Sequence, residues 1–437
     1  MSKKNSRHFA WLLVFAIAAS AKGTGQELPQ SAQELTLEQV QEQAAANYPL
    51  IRQRDLIRKT SGLTIENLRT SFLPQANISA QATYQSAVTE IPVKVPAFAV
   101  EPLSKDQYRA LLDVNQLIYD GGSYTGQRRL QEWNEKAEQE KIAVELQKLR
   151  ETINQVFFSA LLAAEQKKLV LLVDNDLEAG IRRVEAQVAN GTAFRSALAS
   201  LQAEKLRNGQ RAVEWESNRR GLLDVLGLYM GTDIPDEVLL MWPEVGREPL
   251  TDSITRSELR LLRFQDSALM QRDELVDVRN RPKLSAFGQA GYGRPGLNML
   301  ENRFAPFFLG GVRVNWALNS LYTSKRDREI LGVQRQVLSV QEDQFLLQTR
   351  ARLKQQRAEV RKWESLLETD AEIIVLKDQV RDATKAQLDQ GVATASDYIR
   401  EVNAAGQARL QELLHRLQWM QATIQYRTIA GQENPTN

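Results

Sequence analysis

The spacing of apolar residues along this chain changes period in a fixed order. From Leu35-Thr36-Leu37 the spacing is helical, with Thr36 as N-cap and Gln39 three residues on completing a capping box. Tyr48-Pro49 interrupts this helix, which continues to Phe72-Leu73-Pro74, where proline ends it and pushes the preceding residue towards an extended conformation. From Ala76 the period is two: Ala76, Ile78, Ala80, Ala82 and Tyr84 alternate with Asn77, Ser79, Gln81, Thr83 and Gln85. A Pro-containing loop, Ile91 to Asp106, leads to a second strand near Tyr108. There Ala110, Leu112 and Val114 stand against Arg109, Asp113 and Asn115, with Leu111 breaking the polar face.

Asp120-Gly121-Gly122 then turns the chain into a helical pattern that runs to Asn190-Gly191. A helix from Gly122 to Ala189 would be ~100 Å long at ~1.5 Å per residue, beyond any ordinary globular core. Its apolar residues Leu146, Leu149, Ile153, Val156, Ala160 and Ala163, then Val170, Val173, Leu177, Ile181, Val184 and Val188, form one narrow seam that predicts packing against other helices. After Asn190-Gly191-Thr192 the chain reverses and descends through Leu198, Leu201 and Val213 to Leu226.

The whole plan then recurs. Val114-Asn115 returns as Val314-Asn315, Asn190-Gly191 as Gln390-Gly391 and Met230-Gly231 as Ala430-Gly431, each pair 200 positions apart. Equal offsets at three points indicate an internal duplication in which neither copy changes net length. The expected organisation is a leader at 1–21, an N-terminal arm at 22–34, a first repeat at 35–231, a Pro-rich linker at 232–250, a second repeat at 251–431 and a tail at 432–437. The second repeat predicts a helix from about Thr251, Pro282, a strand Leu284 to Tyr292, a strand Phe307 to Leu318, a long helix with its stripe at Ile330, Val333, Val337 and Val340, a reversal at Gly391 and a return helix.

Strands of about ten residues, polar on one face and apolar on the other, suit an outer-membrane barrel. A soluble sandwich would alternate in the same way, but four strands growing from helix ends have no second sheet to cover them. Nor can four strands close a barrel alone, since two edges stay bare, so several chains must close it together. Asn77, Ser79, Gln81, Arg109, Asp113, Arg313 and Asn315 then fall to the lumen. Ile78, Tyr84, Val114, Tyr292, Val312 and Trp316 fall to the lipid and its aromatic girdle.

Composition removes most chemistry. There is no cysteine, so thiolate sites, disulfides and an acylated N-terminal cysteine are excluded; His8 and His415 are the only imidazoles. Carboxylate-only catalysis stays possible but nothing singles out a pair, so no catalytic, cofactor-binding or metal-ligating residue is assigned, and a lone His415 on a helix reads as structural. Gly291-Tyr-Gly293-Arg-Pro-Gly296 matches a dinucleotide fingerprint, but it ends a strand and does not open a helix. Net charge is +2, and losing Lys3, Lys4 and Arg7 with the leader leaves 53 basic against 54 acidic side chains, which gives no footprint for nucleic acid. Met1 to Ala21 has a basic start, an apolar run Phe9 to Ala19 and an Ala19-Ser20-Ala21 site, as a secretory signal does. No later segment approaches the ~20 apolar residues of a spanning helix.

In this order and duplicated, the Leu35-Thr36-Leu37 opening, Pro49, the Pro74 and Pro282 junctions, Tyr119-Asp120-Gly121-Gly122, and the two hinges, Gly191 followed by Ala197 and Gly391 followed by Asp397, resemble the TolC family of outer-membrane efflux proteins. The resemblance implies a mainly α protein with a membrane β-barrel: a homotrimer whose chains each give four strands to a twelve-stranded barrel and two helical hairpins to a periplasmic α-helical tunnel. It also implies a passive exit duct of a tripartite efflux or type I secretion system, in contact with outer-membrane lipid. Its partners would be a periplasmic adaptor (a membrane fusion protein) and an inner-membrane transporter of the RND, ABC or MFS type. By the same pattern Asn190, Gly191, Thr192, Ala193, Gln390, Gly391, Val392 and Ala393 form the docking tips. Ala197, Asp397 and Arg400 would stand at the tip aperture. Where many members carry acids, this chain has Ala197 and Arg400, so either three Arg400 side chains make a basic constriction or Arg400 faces a neighbouring helix. A periplasmic coiled-coil scaffold or adaptor without a pore is the alternative from another class.

Overall fold

The computed structural model describes residues 34–89, 102–246 and 250–432. The expected leader, most of the N-terminal arm and most of the Ile91–Asp106 loop lie outside them.

Strand β1 (Glu34–Leu35) leads into helix α1 (Leu37–Asn47), whose Thr36–Gln39 capping box forms as the sequence predicts, each side chain bonding the other's backbone N–H. Pro49 opens a single tight turn, Pro49–Arg52, because its fixed φ and missing N–H suit the first turn of a new helix. Helix α2 (Gln53–Thr70) follows, then strands β2 (Gln75–Tyr84) and β3 (Asp106–Tyr119). Asp120 makes the turn into the long helix: its carboxylate accepts the Gly122 and Tyr124 amides, while Gly121 and Gly122 take positive φ. Helix α3 (Ser123–Ala189) and helix α4 (Arg195–Met230) make the first hairpin. A short strand β4 (Leu239–Leu240), which alternation did not reveal, pairs in parallel with β1.

The second half runs through α5 (Ser257–Arg279), β5 (Lys283–Arg294), β6 (Ala305–Asn315), a turn Leu318–Ser320, α6 (Leu321–Asp389) and α7 (Ala395–Ala430). Two boundaries differ from the expectations. Helix α5 begins at Ser257, not near Thr251, because Thr255 instead donates its amide to Ala430 O at 2.8 Å and joins the end of α7 to the start of α5. Strand β6 stops at Asn315, short of Leu318, where the Trp316 indole turns back to donate to Asn280 O at 2.7 Å.

The two long hairpins match in length, 67 and 36 residues against 69 and 36. Their return helices end alike. Gly231 and Gly431 have φ of +70° and +78°, and a Cβ on Gly431 would lie 2.8 Å from the Thr255 carbonyl carbon. Only glycine permits that approach. Asn47 of α1 closes the first joint by donating to Met230 O.

Around the joints sits the main core, where Leu37, Val40 and Ala44 of α1 meet Ile153, Phe157 and Leu161 of α3, Leu223 and Leu226 of α4, and Leu417 and Ile424 of α7. The predicted seam of α3 is buried or half-buried throughout. The stripe on α6 is not. Ile330, Val333, Val337 and Val340 are all at least half exposed, because α6 turns another face to α5 and α7. Helix α3 contacts α1, α2, α4, α5 and α7, and α6 contacts α5 and α7, which places α2 and α4 on one side of the helical array and α6 on the other.

The four long strands form one antiparallel sheet in the order β2-β3-β5-β6, leaving β2 and β6 as open edges. Among the described residues no helix is long and apolar enough to cross a membrane.

Candidate functional site: a two-faced sheet and a helical tip

Register decides which residues share a face. Asn77 pairs with Asp113, which pairs with Gln289; Gln81 pairs with Arg109; Lys283 pairs with Asn315 and Ser285 with Arg313. Since side chains alternate, Asn77, Ser79, Gln81, Arg109, Asp113, Arg313 and Asn315 all stand on one face. Ile78, Tyr84, Val114, Tyr292 and Val312 stand on the other, with Ala80, Leu112, Ala290, Phe308 and Val314. Trp316 lies just past β6, exposed at the strand–helix junction. The seven expected lumen residues are therefore brought together, as are the five expected lipid-facing ones that lie in strands.

The apolar face is bare. Ile78 is 80% exposed and Phe308 78%, with no helix packed over them among the described residues. Burying such a face is the main driving force available to a sheet, so this chain leaves it for something outside itself. Exposed aromatic residues sit at both ends of the strands: Tyr84, Tyr108 and Tyr292 at the loop end, where Phe304 stacks on Tyr292, and Tyr119, Trp316 and Tyr322 at the helix end. Rings with an apolar body and a polar tip suit the two interfaces of a bilayer.

The polar face holds something the alternation did not show. Phe287, Phe307 and Leu309 share it, and two of these carry the arginines: Arg109 lies over the Phe307 ring at 5.9 Å and Arg313 over Phe287 at 4.5 Å. Arg313 lies two residues from Gly311, the cross-strand partner of Phe287, whereas Arg109 reaches Phe307 from two strands away, over Gly291 of β5. The Gly291-x-Gly293-x-x-Gly296 run lies in β5 and the loop after it and opens no helix. A Cβ on Gly291 would strike the Phe307 ring, so that glycine serves packing.

At the far end of the hairpins the reversals are built identically. Gly191 and Gly391 both have φ of +74°. Thr192 donates its amide to Gln187 O and Val392 to Gln387 O, both at 2.9 Å, while each glycine amide bonds back to Val188 or Leu388. This is the glycine stop that leaves few orphan carbonyls at a helix end. Thr394 caps α7, with Asp397 completing the box by accepting the Thr394 amide at 3.0 Å.

That bond is one of several that engage Asp397 and Arg400 at the tip. One Asp397 oxygen is held by Thr394 and the other accepts from Arg400 at 3.2 Å; Thr394 first, then Arg400, holds the carboxyl below its usual range. Arg400 also meets Glu401 at 3.1 Å. It is thus an exposed cation between two acids on its own helix. Ala197 is half-buried and packs with Ala193 and Ala393 on a small tip core. Asn190, Gly191, Thr192, Gln390, Gly391 and Val392 are exposed as expected.

The tip core centres on Tyr398, which is fully buried among Leu177, Val184, Leu201, Leu388, Ala395 and Val402. Its ring lies against Gly180 of α3, where a Cβ would come within 2.8 Å, and its hydroxyl donates to Asp176 O at 3.2 Å. Beside it Arg381 of α6 reaches Asp176 of α3 at 3.3 Å, so the two hairpins are tied by both packing and charge. Sequence reasoning missed Tyr398, Gly180 and Phe194. The signals were there: a glycine inside a helix, and a large aromatic between Gly191 and the start of α4. Phe194 is 83% exposed and Val392 76%, giving each tip one uncovered apolar side chain.

His415 of α7 packs against α6. Its Nδ1 lies 2.7 Å from Asp370 and its ring against Trp363, both on α6. Among the described residues no cluster of acids and histidine could hold a metal.

No family model and no curated protein matches this sequence. Solved structures do. The chain superposes on the CusC channel with a TM-score of 0.66 at 12% identity, covering 91% of this chain and 92% of that one. The CmeC outer membrane channel of Campylobacter jejuni gives 0.64 at 13%, covering 92% and 87%. The open state of the MtrE outer membrane channel of Neisseria gonorrhoeae gives 0.64 at 13%, covering 92% and 91%. The chain therefore has the fold of the TolC-type outer-membrane channels.

Proposed function

We propose that this chain is the outer-membrane exit duct of a tripartite efflux or type I secretion system, working as a homotrimer without chemistry of its own. One observation carries the reading: a four-stranded sheet with two open edges, polar on one face and bare and apolar on the other, continues into helices of 67 and 69 residues. Three copies joined β6 to β2 would make a barrel of twelve strands with no free edge, apolar side to the lipid. The helical layer supports the same closure. Its exposed stripes, Ile330, Val333, Val337 and Val340 of α6 on one side and Leu206, Val213 and Leu228 of α4 on the other, would cover one another between copies. The matched hairpins and the common 200-residue offset fit a duplicated ancestor.

The tips would dock a periplasmic adaptor, which links the duct to an inner-membrane transporter that supplies the energy. Phe194 and Val392 are the apolar anchors in that reading, and the glycine turns that bear them set their position. Changing Phe194 and Val392 together to aspartate is expected to weaken adaptor capture at least ~10-fold, about 1.4 kcal/mol, while leaving trimers intact. Crosslinking through cysteines at 193 and 393, with and without the two aspartates, followed by copurification, measures this. Unchanged adaptor recovery would remove the tips from the interface.

A periplasmic scaffold is the competing reading, and it gives no use for a bare apolar sheet. Fractionation separates the two: heat-modifiable trimers in outer-membrane extracts support the duct, and release as soluble periplasmic protein would end it.

A further inference from the structure

We infer that the polar face of the sheet is a cationic collar that favours anionic solutes over cationic ones in the barrel; the inference rests on the exit-duct reading above. Three cations stand on that face, Lys283, Arg109 and Arg313, against one acid of the strands, Asp113, which leaves a surplus of two positive charges per chain. The acid is not free: Gln289 donates to its carboxylate. Neither arginine has a carboxylate partner among the described residues.

Their placement matters as much as their number. Arg109 stands at the level of Gly293 and Arg313 at the level of Ser285, eight residues apart along β5, about 26 Å at ~3.3 Å per residue. Asp113, at the Gln289 level, lies midway. Three copies would thus stack a ring of arginines near the loop end, a ring of aspartates in the middle and a second ring of arginines near the helices, with lysines beyond. Each guanidinium lies over a phenylalanine ring of the same face, Arg313 over Phe287 of the neighbouring β5 and Arg109, across Gly291 of β5, over Phe307 of β6, which draws the cation to the wall without neutralising it. A charge held on a low-dielectric wall focuses its field into the water it encloses, so solutes of opposite sign gather there. The tip gives no such surplus, since Arg400 sits between Asp397 and Glu401.

Because the chain has no cysteine, one introduced thiol reports its own surroundings. Ser79→Cys places it on the polar face, at the level of Leu111, one step from both Arg109 and Asp113. Intact outer membranes are treated with a negatively or a positively charged methanethiosulfonate of similar size, and each rate is divided by its rate with a free thiol. The measurement does not need the periplasmic tip to be open. The anionic reagent is expected to be favoured by roughly three- to tenfold. In the Arg109→Gln, Arg313→Gln background the preference should vanish, and Asp113→Asn alone should raise it, which keeps the test decisive if the double variant does not assemble. Equal rates, a preference for the cation, or a preference that survives loss of both arginines would overturn the collar and leave the duct standing. A Ser79→Cys thiol that stays inert while Ile78→Cys reacts would reverse the faces, which ends the duct reading and the collar with it.

Discussion

Arginine in place of Ile78 is expected to abolish stable assembly in the outer membrane, while arginine in place of its neighbour Ser79 is tolerated. The two positions share one depth and differ only in face. Ile78 stands in a row with Leu112, Ala290 and Phe308 near the middle of the strands, all on the bare apolar side. A cation at the midplane of a barrel's lipid face costs about 2–4 kcal/mol per copy. Three copies multiply that into a sum comparable with the whole stability of a typical domain, ~5–15 kcal/mol. Ser79 opens instead onto the face that already carries Arg109 and Arg313, where added charge stays in water. Heat-modifiable trimers from outer-membrane extracts provide the readout. Recovery of the Ile78→Arg trimer at normal levels, with loss of Ser79→Arg, would show that the faces are assigned backwards.

Removing the Tyr398 side chain should loosen the tip while leaving the rest of the hairpins folded. Tyr398 is 0% exposed and fills the notch left by Gly180, so Tyr398→Ala leaves a cavity among Leu177, Val184, Leu201 and Leu388. Truncating a buried aromatic costs about 3–5 kcal/mol. Tyr398→Phe keeps the ring and loses one hydrogen bond to Asp176 O, about 0.5–1.5 kcal/mol. Hydrogen exchange at the helix ends flanking Gly191 and Gly391 should rise steeply in the alanine variant and slightly in the phenylalanine one. Equal protection in all three proteins would mean that Tyr398 does not hold the tip.

Alkali provides a second test of the same side chain. Burial pushes the Tyr398 hydroxyl up to about 12 from its ordinary value of 10.0, with Asp176 adding to the shift. The folded state thus holds this proton more tightly than the unfolded state. The stabilisation is complete below pH 10 and is lost as pH rises towards 12. Tip protection should therefore fall across that window in the natural protein, and Tyr398→Phe should lose this component of the fall.

Much of the scaffold is legible from local rules. The Thr36–Gln39 box, the stops at Gly191 and Gly391, the turn at Gly121-Gly122 and the alternation from Ala76 each follow from backbone geometry within a few residues, so the order of the long elements and the face of the expected lumen and lipid-facing strand residues could be read in advance. The dinucleotide-like glycines could be dismissed for the same reason, since no helix opens on them. What failed were inferences about which surface meets which. The stripe at Ile330, Val333, Val337 and Val340 has the same spacing as the buried seam of α3, yet lies exposed, because periodicity identifies an apolar face and not its partner. The packing of Ala197 on the tip core was likewise not legible, because nothing local says which neighbour a small residue on a helix will meet.

By itself, then, the sequence determined the order of elements, the two faces of the sheet and the glycine turns at both tips, because these depend on φ, capping and side-chain period. The tertiary structure alone decided that Tyr398 would lock into Gly180, that Asp397 would spend its carboxylate on Thr394 and Arg400, and that the two arginines would lie on phenylalanines of other strands. Those contacts join residues that are neighbours only after helices pack and strands find their register, and no local preference encodes that pairing.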